Sequence, residues 1–368
     1  MAYDALADLE LTIDAVDWRR LEADTSSGFE RVTTEIMLTG PVETDRPGRE
    51  TVTGIGEDVT YDTDEQDAFQ AADWTSFDLE GTYTLDEFSA YLESVDLFPA
   101  GDPERTDFLD YRRWAFESAG LDLALRQAGT SIATRVERPC EPVRFVTSTR
   151  LGEPPTTERL EALRDVVPDL EFKLDPTPEW ASSIIDAVAD FGGVRILDLK
   201  GQYEGTDVDV PGDPELYQNL AEAFPEAVLE DPAVTPETRP VLEAAGVRER
   251  LSWDAPIHGV EDVRALLWEP NWLNIKPSRF GSLESLLETI AYADDHDIRL
   301  YGGGQFELGV GRGQLQLLAS LFYSDGPNDV APRAYNEPAV SDGLPTSPLA
   351  VPEALSGEGS GPAGFRWE

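Results

Sequence analysis

From Val143 to Asn336 short apolar runs alternate with helix-like stretches, and this rhythm leaves few architectures open. The runs are VRFVTS, LEFKL, VRILDL, AVLE, RLSWD, WLNIK, IRLYGGG and a weaker last one in DVAPRAYN. Short apolar runs separated by helical patterns read as parallel strands buried on both faces. Eight such units over residues 140–336 predict a modified (β/α)8 barrel, seven of its strands well formed and the eighth poor. In a parallel barrel the C-terminal strand ends converge on one mouth. Residues far apart in the sequence meet there.

The preceding residues, 1–135, have a different pattern. RVTTEIMLTG and RETVTGIGEDVTY alternate in polarity around the turn-rich PVETDRPGR, which reads as a β-hairpin. TLDEFSAYLESVDLF and DYRRWAFESAGLDLALRQAG follow with apolar residues at helical spacing, and Gly129 is a stop signal for the second. These elements predict an N-terminal α+β module. Residues 337–368 are rich in Pro, Gly and Ser, but the ending GFRWE is aromatic enough to predict a return onto that module.

The barrel region also holds the scarcest residue type. Of 28 Lys and Arg only three are lysine: Lys173, Lys200 and Lys276, each at the end of an apolar run. Arg stays charged at working pH, whereas burial and neighbours can tune a Lys amine to exchange protons. Between the lysines, Asp198, Glu230 and Asp254 end successive strand-like runs, about one strand, one helix and two loops apart. Three carboxylates at neighbouring strand ends would hold a hard divalent ion such as Mg²⁺, or Mn²⁺. Lys173 and Lys276, on the second and sixth runs, would flank it.

With 73 Asp and Glu and a net charge of −45, a single acidic residue here is ordinary surface, so only those inside strand patterns count. Such a surface repels nucleic acid and anionic lipid and suits concentrated salt, which points to a halophile. The sequence has no membrane-length apolar run and opens without a signal-like segment, so a cytoplasmic protein is expected, with a small molecule as its partner. Its composition is also compatible with a homo-oligomer. One cysteine, Cys140, and two histidines, His258 and His296, exclude an internal disulfide and a Cys/His zinc site. Gly309-x-Gly311-x-Gly313 lacks the strand and helix context of a phosphate loop.

TVTGIGED, AGLDLALRQAG, the three acidic positions, NIKPSRFGSL and YGGGQFELGVGR, taken in order, resemble the enolase superfamily in its muconate-lactonizing-type subgroup. The last two segments are similar to those of o-succinylbenzoate synthases and N-acylamino-acid racemases. The resemblance implies a capping domain over the barrel and a lyase or isomerase that abstracts the α-proton of a carboxylate substrate, giving a metal-stabilised enediolate. A dehydratase or synthase is favoured over a racemase or epimerase. It further implies that Lys276, in NIKPSR, is a base, with Lys173 acting from the opposite face. Gln305 and Glu307, at the end of the seventh strand, are then substrate-binding.

Two positions depart from the subgroup. Its second strand carries Lys-x-Lys, where this chain has Lys173-Leu-Asp175, or Glu171-Phe-Lys173 if shifted by two. Lys200 stands where the family often has Asn, and could bind a second anionic group of the substrate or serve as another proton donor. The alternative to an enzyme is a non-catalytic barrel that binds a carboxylate or sugar acid, because fold does not fix function.

Overall fold

The computed structural model describes residues 2–42, 50–203, 205–206, 208–355 and 364–367. Alternation in the N-terminal region produces strands β1 (Glu10–Ile13), β2 (Ala15–Asp24), β3 (Glu30–Val42), β4 (Glu50–Asp58) and β5 (Gly81–Thr84). β2, β3 and β4 form an antiparallel sheet with Met37 opposite Ile55, while β1 pairs with β5. The expected hairpin is therefore β3–β4; its turn, at 43–49, lies outside the described residues.

Helix Asp107–Gln127 is 21 residues long and buried on nearly all sides from Tyr111 to Leu125. Gly54 and Gly56 of β4 make this possible. A Cβ on Gly54 would lie 2.2 Å from the Ala119 carbonyl oxygen, and one on Gly56 1.9 Å from that of Ala115, so only glycine lets strand and helix backbones meet. Gly129, with φ +63, ends this helix region as a left-handed residue can. The C-terminal residues Phe365 and Trp367 are buried, and the Phe365 N–H donates to Asp122 of the same helix.

The barrel strands are β6 (Thr147–Thr149), β7 (Phe172–Leu174), β8 (Val194–Asp198), β9 (Val228–Glu230), β10 (Leu251–Trp253), β11 (Trp272–Ile275) and β12 (Arg299–Gly302). They form one parallel seven-stranded sheet in sequence order, curled with helices around it. The fold is a modified (β/α)8 barrel with an N-terminal α+β capping domain. Strand alternation separates two interior levels: Ile196 and Val228 join Val146 and Tyr301 in an apolar plug, while Asp198 and Glu230, two residues further on, reach the mouth.

The eighth position differs from the expected strand at DVAPRAYN. Asn328 and Asp329 bridge the two edge strands, with Val146 N–H donating to the Asn328 carbonyl at 2.9 Å and Asp329 N–H to that of Gly302 at 2.8 Å. The Asn328 side chain completes the join, accepting from Gly302 N–H and donating to the Arg144 carbonyl. Pro327 and Pro332 flank the segment, and a residue without N–H cannot extend a ladder. A side chain therefore stands in for part of a strand.

Candidate functional site

At the barrel mouth the first requirement is to keep charges hydrogen-bonded, because burial without a partner is costly. Lys173, in the middle of β7, is enclosed. Its Nζ lies 2.6 Å from Glu230 Oε1 and 3.2 Å from Asp198 Oδ2, with Asp329 Oδ2 at 3.9 Å. Glu230 also accepts from Asn274 Nδ2 and from the Tyr301 hydroxyl. Across the mouth, Lys276 Nζ lies 2.7 Å from Asp254 Oδ2, which accepts from the Tyr203 hydroxyl at 3.0 Å. Lys200 pairs with Asp198.

Glu230, Asp231 and Asp254 form a buried acidic triad in which one ligand atom from each lies within 4.8 Å of the others, a group capable of holding a divalent cation. Asp198 adjoins it, since its Cα pairs with that of Glu230 in the β8–β9 ladder. Asp231 differs from its neighbours in having both oxygens occupied, by the backbone N–H groups of Asp254 and Ala255 at 2.8 and 2.9 Å. It fixes the end of β10. Asp254 Oδ1, by contrast, is buried without a hydrogen-bond partner, facing the Arg279 guanidinium at 3.4 Å.

Crowding divides the protons unevenly. Burial would raise Asp198, yet the Lys173 and Lys200 ammoniums hold its carboxyl well below the usual range. Asp254 is likewise held low against burial, by Arg279 and Lys276. Burial pushes Glu230 up, and Asp198 and Asp254 add to the effect; Asp231 rises for the same reasons. Lys173 stays an ammonium: burial lowers it, but Asp198 and Glu230 carry it well above the ordinary value. A cluster that retains protons is short of positive charge, and a dication would supply it. With the unpartnered Asp254 oxygen, this shows that the donor set fits such an ion.

Gln305 and Glu307 have other partners. The Gln305 amide lies between the Tyr111 and Tyr61 hydroxyls of the capping domain, and its carbonyl accepts from Arg31. Glu307 accepts from Gln305 N–H and faces Arg312 at 3.1 Å. Both thus sit in the seam between capping domain and barrel. Gly303 is nearer the mouth: a Cβ there would meet Asn274 and, at 2.9 Å, Lys276 Cε. His258 Nδ1 meets Asp110 of the long capping helix at 3.1 Å.

Sequence reasoning missed Asp231, Asn274, Tyr301, Tyr203, Arg279 and Asp329. Asn274 could have been found by counting back two from Lys276 along the strand. Tyr203 lies on a loop and Asp329 on the irregular eighth segment, where no periodicity marks them.

Sequence models of a family described as a domain of unknown function, DUF8230, match this chain twice: the N-terminal domain at residues 4–135 and the C-terminal domain at 139–337. No curated protein matches. Among solved structures, an unknown member of the enolase superfamily from Enterococcus faecalis V583 is similar at 18% identity and TM-score 0.63, over 88% of this chain and 86% of that one. Muconate lactonizing enzyme from Pseudomonas putida is similar at 17% and 0.61, over 87% and 88%. A dipeptide epimerase from Methylococcus capsulatus, complexed with Mg ion, is similar at 17% and 0.63, over 85% and 88%. At such identities the likeness is one of fold, shared with several enolase-superfamily members. Matched by both domain models, the chain belongs to the DUF8230 family.

Proposed function

We propose that this protein is a Mg²⁺-dependent lyase or isomerase of the muconate-lactonizing type, working in a salt-rich cytoplasm and removing the α-proton of a carboxylate substrate. The observation that carries this is the placing of Lys276 and Lys173 against opposite sides of one buried acidic group. Asp198, Glu230 and Asp254 would hold the dication, which when bound offsets the negative charge that grows on the substrate carboxylate as the proton leaves. Lys276 takes that proton. Lys173 holds Asp198 ionised and donates to Glu230, Tyr203 and Arg279 orient Asp254, and Asn274 and Tyr301 orient Glu230. The electron pair of the broken C–H bond then expels a β-substituent, as in a dehydratase or synthase, or is reprotonated on the other face, as in a racemase. Elimination is favoured, because Lys173 is too tightly held to return a proton.

The second reading, a non-catalytic barrel that binds a carboxylate, draws on the same ion pairs, since all three lysines are matched by carboxylates. Exchange of α-hydrogens in D₂O with Mg²⁺ and KCl, over a pool of carboxylates, separates the two. Mass gain that vanishes in Lys276→Ala and in Glu230→Gln is expected, a loss of about 1,000-fold or more. Acids that bind without any exchange would establish the second reading instead.

A further inference from the structure

The three mouth lysines are not equally presented. Their side chains are 2% exposed for Lys173, 7% for Lys276 and 18% for Lys200. Lys173 lies beneath the acidic residues and is already matched by two of them. On the side of the mouth opposite Lys276, therefore, the less enclosed amine is Lys200, which pairs with Asp198 and has further N–H groups to offer. Its backbone is left-handed, with φ +53, a conformation that long side chains rarely adopt and that tends to persist where the surroundings hold a functional group in place.

Beside that amine stands an unmet acceptor. Asp175, two residues beyond Lys173 and just past the end of β7, has its Oδ2 at 4.0 Å from Lys200 Nζ and 3.3 Å from Arg150 Nε. Its other oxygen, Oδ1, is buried with no hydrogen-bond partner. A substrate carboxylate placed here would oppose Asp175, an ammonium would oppose Lys200, and an apolar group would leave Asp175 Oδ1 unmet. A hydroxyl accepts from the amine and donates to the carboxylate.

We infer that Lys200 and Asp175 bind a substrate hydroxyl, so that the substrate is a hydroxy acid. This rests on the proposed α-proton chemistry and narrows its substrate. Lys200 contributes as a fixed ammonium, with Tyr203 beneath it at 5.4 Å from nitrogen to ring centre.

The test is α-hydrogen exchange in D₂O with Mg²⁺ on paired acids first shown by calorimetry to bind: malate with succinate, 3-hydroxybutyrate with butyrate, tartrate with malate. The wild type is expected to prefer the member with the additional hydroxyl by at least about 100-fold in kcat/KM. Lys200→Met and Asp175→Asn should each bring that ratio to within about threefold, chiefly through KM, and Lys200→Arg should restore part of it. If Lys200→Met fails to fold, the isosteric Asp175→Asn carries the test. A wild type without the preference, or variants that keep it, would overturn the inference while Lys276-dependent exchange left the proposed chemistry standing. Absence of Lys276-dependent exchange from every acid that binds would remove both.

Discussion

The buried carboxylates of the barrel mouth and those of the seam with the capping domain differ in their partners. At the mouth Asp198, Glu230 and Asp254 meet side-chain cations, namely Lys173, Lys200, Lys276 and Arg279. At the seam Glu57 of β4 accepts instead from the backbone N–H groups of Leu308, Gly309 and Gly311, where helix Val310–Phe322 begins. Glu35 of β3 takes the Val310 N–H, and Glu117 takes that of Leu283, at the start of helix Leu283–Asp295. The capping domain is thus docked by acids set into helix N-termini, where N–H groups lack partners within the helix. Side-chain cations can be exchanged for a metal and a substrate; backbone donors cannot. The first arrangement suits a site and the second a joint.

The largest test of this contrast is Lys173→Met. It removes the ammonium that Asp198 and Glu230 share and should cost about 3–5 kcal/mol. Saturating Mg²⁺ should recover most of that, because the ion brings positive charge to the same oxygens. Thermal unfolding with and without the ion reads the outcome, and equal loss in both would show that the mouth is as fixed as the seam.

Glu57→Ala comes next, at about 2–3 kcal/mol for three N–H groups left without their acceptor. Here Mg²⁺ should return nothing. Recovery by the ion would show that the seam and the mouth are energetically one unit.

The smallest effect for a single group is one of pH. Burial, with Glu307 nearby, pushes Glu57 up to about 7, and burial does the same to Glu117. A carboxyl raised in the folded state binds more protons there than when unfolded. Its contribution is full below about 4.5, the unfolded value, and is lost as pH rises through 7. Unfolding midpoints should therefore fall between pH 5 and pH 8, by about 2 kcal/mol for each group, and Glu57→Gln should flatten the slope. A slope unchanged in Glu57→Gln would place the titrating groups elsewhere.

The same contrast explains what could be read from the sequence. Apolar runs gave away the barrel strands, and the period of two along a strand carried Asp198, Glu230, Lys173 and Lys276 to one mouth. Of the three scarce lysines, Lys173 and Lys200 both reach Asp198, and Lys276 reaches Asp254. Nothing comparable marks the seam: Glu35, Glu57 and Glu117 are three among 73 acids, and their partners across the seam are backbone groups that any sequence supplies. Gln305 and Glu307 show the same limit. Their position after β12 was readable, but their engagement with Tyr61, Tyr111 and Arg312 depends on how the capping domain meets that loop. The eighth strand failed to form because prolines cut its main-chain pairing to Asn328 and Asp329 and an asparagine side chain supplies the rest, which has no sequence period.

That join has a mechanical consequence. Along the rest of the ring, neighbouring strands are tied by a parallel ladder, and widening any gap means breaking it. Between β12 and β6 the circumference is closed by Asn328, Asp329 and a few bonds to one amide group. A hoop yields at its clasp, and this one lies directly beside Asp329 and Lys173. The stretch between the first strand and the last is thus the least firmly tied part of the mouth's wall.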